Sequence, residues 1–143
     1  MKSFAATASI RATPEKIWAI LTDAERYPEW NPTVTKVDGQ IAPGSRIALH
    51  VTLSPRAFPV TVAAFEAPRR MVWRGGMPLG LFVGERVFLL TPQAGGVVDF
   101  SMRESFSGLL APLIGRSLPD MQPAFDEFAA SLKRAAERES TRV

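Results

Sequence analysis

Cysteine is absent from this chain, and histidine occurs once, at His50. Disulfides, thiolate metal sites and a cysteine nucleophile are therefore excluded, and so is a multi-histidine metal centre. No cofactor motif stands out, and no metal or cofactor is expected. Long apolar runs are also missing: none approaches the roughly 20 residues that a membrane-spanning helix needs. The opening residues Met1 to Phe4 lead into an alternating segment, so no signal peptide is expected and the expected location is cytoplasmic. Internal repeats, low-complexity tracts and interdomain linkers are not evident either.

What remains is a chain of 143 residues with 46% apolar and 22% charged side chains. That size suits one globular domain over residues 1–143, large enough to bury about two-thirds of its unfolded surface. Its 17 basic against 14 acidic residues leave a formal charge of +3. The basic residues are scattered, with the densest groups at Arg69, Arg70 and Arg74 and at Lys133, Arg134 and Arg138. Nucleic-acid binders gather such residues on one stripe among exposed aromatics. Here the aromatics fall in core-like patterns, so no nucleic-acid partner is expected.

The hydrophobic period changes twice along the chain. Residues 4–11 alternate as a strand, and Thr13 followed by Pro14 marks a helix start, with Thr13 as N-cap and Lys16 where a capping box would carry glutamate. That helix is expected to reach about Asp23. Pro28 and Pro32 then allow at most one further helical turn. Period-two patterns follow at residues 34–37, 47–53, 58–66, 70–74, 81–91 and 97–106, and Gly95-Gly96 marks a tight hairpin between the last two. A helical stripe returns at Met121, Phe125, Phe128 and Leu132, and the polar tail from about 137 is expected to fray. Strands joined by short turns make an antiparallel sheet, and the final helix must cover its apolar face. The expected class is α+β, with a curved sheet that leaves ligand space under the helix.

Several segments resemble a known family. Pro14-Glu15-Lys16-Ile17-Trp18 with Tyr27-Pro28-Glu29-Trp30-Asn31-Pro32 is similar to the START-like, or SRPBCC, superfamily. Arg70-Met71-Val72-Trp73-Arg74-Gly75, Gly84-Glu85-Arg86-Val87-Phe88 and Glu104-Ser105-Phe106-Ser107-Gly108-Leu109-Leu110 fit its polyketide cyclase/dehydrase-type branch. The resemblance spans about residues 3–138. It implies a helix-grip fold: about six to seven antiparallel strands curved around a long C-terminal helix, two short helices after the first strand, and an apolar cavity. Lipid carriers, hormone-binding proteins, aromatase/cyclases and chaperone activators share that fold, so fold alone does not settle function.

Strand parity identifies the side chains able to face such a cavity. Phe82, Gly84, Arg86, Phe88 and Leu90 share one face, as do Phe100, Met102, Glu104 and Phe106. A hairpin centred near Gly95 sets Arg86 opposite Glu104, either as a structural ion pair or as a group that orients ligand or moves a proton. A slip of one residue would instead send both to solvent. The expected strand wall is Met71, Trp73, Phe88, Phe100 and Met102; Met121, Phe125 and Phe128 supply the helix side. The resembled family tends to place the Trp73 position in the lining. Trp18 and Trp30 read as packing residues, Asn31 as an Asx cap and His50 as exposed. The glycine-bracketed segment 108–115 reads as core filler or as a lid, the one place where a membrane could be touched.

The leading expectation is a carrier or sensor that binds a small hydrophobic, lipid- or polyketide-like molecule. One alternative is a polyketide cyclase, aromatase or dehydratase type of enzyme using Glu104 or Arg86. Another is an interaction protein of the chaperone-activator kind.

Overall fold

The computed structural model describes residues 3–52, 55–116 and 120–141. Strand β1 (Ser3–Ile10) leads into α1 (Pro14–Leu21), a 3-10 turn (Ala24–Arg26) and α2 (Tyr27–Trp30). Six strands follow: β2 (Val34–Asp38), β3 (Arg46–Val51), β4 (Phe58–Glu66), β5 (Arg70–Met77), β6 (Phe82–Gln93) and β7 (Val97–Ser107). A single turn of helix, α3 (Ala111–Gly115), precedes the long α4 (Gln122–Thr141). The strands form one antiparallel sheet ordered β1-β7-β6-β5-β4-β3-β2, curled around α4 as the helix-grip class requires.

Local chemistry accounts for the boundaries. Thr13 Oγ1 accepts the Lys16 backbone N–H at 3.2 Å, Pro14 occupies the first helical position, and Thr22 caps the far end of α1. The helix thus stops just short of Asp23. Gly95 and Gly96 adopt φ of 82° and 76°, left-handed values that glycine tolerates, and they turn β6 into β7. Strand β5 runs three residues beyond the expected 74, through Gly75 and Gly76 to Met77. Leu53, expected to close the β3 alternation, lies outside the described residues.

The polar tail corrects one expectation. Helix α4 continues to Thr141 rather than fraying from 137. Glu137 accepts from Lys133 Nζ at 2.7 Å and from the Arg11 backbone N–H at 3.0 Å, while Glu139 holds Arg26 at 2.9 Å. The Lys133 hydrogen bond, then that of Arg11, holds the Glu137 carboxyl below its usual range. Along the rest of α4, Gln122 Nε2 and Lys133 Nζ donate to the Ala5 and Ser9 carbonyls of β1. These contacts hold the helix axis along the first strand and turn the Phe125, Phe128 and Leu132 stripe into the sheet.

One end of the enclosed space is packed solid. Tyr27, Trp30, Trp73, Phe88, Phe100 and Phe128 are buried there, with ring centroids 4.7 to 6.5 Å apart. Tyr27 donates its hydroxyl to the Leu21 carbonyl, and burial pushes its ionisation far above the ordinary phenol range.

Candidate functional site

Towards the other end, the sheet and α4 enclose a cavity of about 380 Å³. Trp73 comes from β5, Met102 and Phe106 from β7, Phe125 and Phe128 from α4, and Leu49 and Val60 from β3 and β4. The space exists because glycine occupies inward positions where the packed end carries rings. Gly84 sits two residues before Arg86 on the inner face of β6, and a Cβ there would lie 3.2 Å from the Phe106 ring. Gly76, at φ 140°, passes so close to the Phe82 carbonyl that no larger residue fits.

Arg86 and Glu104 are the charged residues of the lining among the described residues. Strand register pairs them directly, and Arg86 Nε donates to Glu104 Oε1 at 2.7 Å. Each side chain keeps only 16% of its surface exposed, so neither faces bulk solvent and the one-residue slip is ruled out. The guanidinium carbon stands 4.7 Å from the Phe125 ring centroid and 6.0 Å from that of Phe128, within cation–π range. An ion pair held this way is neutral as a unit and keeps unused donors and an unused oxygen.

The family of polyketide cyclases/dehydrases and lipid transport proteins matches residues 1–137. The chain belongs to this family. Members of the polyketide cyclase/dehydrase and lipid transport family have solved relatives that share the fold at low identity. A protein of Mesorhizobium loti is 21% identical with a TM-score of 0.74, covering 99% of this chain and 100% of its own. A START superfamily protein of Mycobacterium smegmatis is 18% identical with a TM-score of 0.67, covering 96% and 98%. Norcoclaurine synthase of Thalictrum flavum, a point mutant bound to a transition-state analogue, is 11% identical with a TM-score of 0.72, covering 98% and 96%. No curated protein matches the chain.

Within this polyketide cyclase/dehydrase and lipid transport domain, the ten expected site residues divide. Trp73, Arg86, Met102, Glu104, Met121, Phe125 and Phe128 border the cavity. Met71, Phe88 and Phe100 do not. They are fully buried in the packed end, where Phe88 meets Trp73 at 4.7 Å and Phe128 at 5.9 Å. Parity placed all three on the inner face, but parity does not say how far along a strand the packing stops. Sequence reasoning also missed the contribution of β3 and β4: Leu49, Phe58 and Val60 form the wall opposite β6 and β7. The clean alternation of β3 was a usable signal for Leu49.

The other candidates take structural places. Asn31 Oδ1 accepts from Thr33 N and Oγ1 at 2.9 and 2.7 Å, closing the Asx turn before β2. His50 remains partly exposed, with Nε2 2.7 Å from Asp38 Oδ2, and Lys36 completes the cluster. These partners, His50 first, hold the Asp38 carboxyl below its usual range. Trp18 packs on Phe65 at 5.2 Å, and Trp30 on Tyr27 at 4.9 Å. Segment 108–115 packs on the β5–β6 turn: Leu109 and Leu110 donate backbone N–H groups to Gly80 and Leu81. Leu109 and Leu113 are 80% and 67% exposed, and Leu79 beside them is 96% exposed. The segment is not core filler.

Proposed function

We propose that the protein binds a small, mostly hydrophobic, lipid- or polyketide-like molecule in this cavity, as a cytoplasmic carrier or sensor. The observation that carries the reading is the cavity itself: about 380 Å³, within the usual range of ligand sites, with an apolar wall broken by one ion pair. Native mass spectrometry of the protein purified from its own host tests it. A co-purifying small molecule is the expected result; a bare protein that also fails to bind an apolar dye removes the reading.

The second reading is an enzyme of the cyclase, aromatase or dehydratase type. Its support is the placement of Arg86 and Glu104 in the lining, where a guanidinium can stabilise an enolate and a carboxylate can carry a proton. The related norcoclaurine synthase shows that the fold accommodates catalysis in another chain. Turnover of a polyketide-like substrate that disappears with Glu104→Gln while ligand binding persists would establish this second reading. An open cavity favours both over a chaperone-activator role, which relies on the outer surface.

The basic groups on the surface support the absence of a nucleic-acid partner: Arg70, Arg74, Lys133 and Arg134 pair with Glu66, Glu85, Glu137 and Glu127. Membrane contact belongs to the exposed leucines Leu79, Leu109 and Leu113, with the exposed Arg116 next in the chain favouring anionic lipid. Converting Leu109 and Leu113 together to aspartate should slow ligand transfer from anionic vesicles; unchanged transfer removes this part of the reading.

A further inference from the structure

The polar end of the cavity restricts what its ligand can be. Arg86 and Glu104 share one hydrogen bond, Nε to Oε1, instead of the two parallel bonds that an arginine–carboxylate pair can form. Among the described residues the guanidinium makes no other hydrogen bond, so its Nη donors remain available, and so does Glu104 Oε2. That oxygen lies 3.8 Å from where a Gly84 Cβ would stand, beside the space the glycine leaves open. Of the other polar groups of the lining, Thr33 donates its hydroxyl to Asn31 Oδ1, and the Trp73 Nε1 donor is buried without a partner. The pair is therefore the part of the lining that offers a ligand's polar group a donor and an acceptor together.

Charge then decides the kind of group. An added carboxylate would meet Arg86 and Glu104 together, so attraction and repulsion would largely cancel while its lost hydration stayed uncompensated. An added ammonium faces the same cancellation with the signs exchanged. The Phe125 and Phe128 rings beside the guanidinium offer no hydrogen-bonding group that could make up the loss. A neutral group that both donates and accepts a hydrogen bond satisfies Oε2 and the Nη edge at once, without bringing a net charge into an apolar space.

We propose that the cavity selects an amphiphile whose polar end is an uncharged donor–acceptor group, such as an amide or a hydroxyl, and discriminates against carboxylates and amines. The proposal deepens the reading of the cavity as a binding site and rests on it. Displacement of the neutral dye Nile red from the full chain at pH 7 tests it, with decanamide, decanol, decanoate and decylamine below their aggregation concentrations. Decanamide and decanol should displace the dye at concentrations about tenfold lower than the two charged probes. In Glu104→Gln, which leaves the guanidinium uncompensated, decanoate should gain about tenfold relative to decanamide. In the paired variant Arg86→Met with Glu104→Met, the amide's advantage should disappear; this variant removes both charges together, so folding does not depend on an orphaned ion. Decanoate matching decanamide on the unmodified protein overturns the selectivity, as does an amide preference that survives in the paired variant. Nile red failing to bind at all overturns the binding reading instead, so the two failures are distinguishable.

Discussion

The two ends of the space between sheet and α4 are built from the same strands on the same face, yet one is solid and the other hollow. Strand β6 shows why. Its inward positions run Phe82, Gly84, Arg86, Phe88 and Leu90. Phe88 and Leu90 are buried against Phe100 and Phe128, whereas Gly84 leaves its place empty and Arg86 turns to its partner on β7. Curvature provides the volume, and side-chain size along a single strand decides which part stays open. Tight packing and open volume are thus assigned to different stretches of one element.

The largest expected effect lies in the solid end. Phe88→Ala should cost about 3–5 kcal/mol, read from urea unfolding. The same truncation at Phe125, which already borders empty space, should cost about 1–2 kcal/mol less, because it forfeits fewer contacts. Equal losses at the two sites would break the division between the ends.

Next in size is the ion pair at the boundary. Replacing either Arg86 or Glu104 alone by leucine should cost about 2–3 kcal/mol, less than a fully buried pair because each side chain keeps 16% exposure. Replacing both should cost far less than the sum, and a double-mutant cycle measures the difference. Additive changes would mean that the two charges do not compensate each other.

Gly84→Val sharpens the contrast from the hollow side. Its new methyl groups press on the Phe106 ring and enter the cavity, so dye affinity should fall about tenfold while stability changes by only about 1 kcal/mol. Unchanged affinity would show that the ligand occupies another part of the space.

The smallest effect belongs to the exposed Asp38, His50 and Lys36 cluster, a useful control for the enclosed pair. The Asp38 carboxyl is held below its unfolded value, first by His50 and then by Lys36. Its contribution is therefore complete above the ordinary aspartate range near pH 4 and is lost as pH falls through the depressed value. A shallow acid-side loss of stability, flattened by Asp38→Asn, is the expected titration; a loss as steep as that of a buried pair would contradict the exposure of the cluster.

Local and cross-hairpin features are legible in the sequence. The Thr13 cap, the Gly95 turn, the resulting register of Arg86 with Glu104 and the apolar stripe of α4 all follow from short-range rules of spacing. Depth was not legible: the alternation that put Met71 and Phe100 on the inner face carries no information on where the packing gives way to a void. The wall from β3 and β4 was missed for the same reason, since Phe58 and Val60 come to line the same cavity as Phe125 and Phe128 only through the curl of the whole sheet. The tail was misread because its order comes from Arg11 and Arg26, more than one hundred residues away, which no local pattern announces.

The pairing of β1 with β7 has a consequence for how the chain acquires its shape. Ser3 is matched with Ser105, so β1 has no partner strand until β7 has emerged from the ribosome. Until the remaining segment follows, the inner face of the meander also lacks its helical cover. Closure of so distant a contact is slow compared with forming hairpins. Until then the sheet is an unfinished ribbon with an open edge and a bare apolar side, the condition under which a nascent chain most needs shielding from its neighbours.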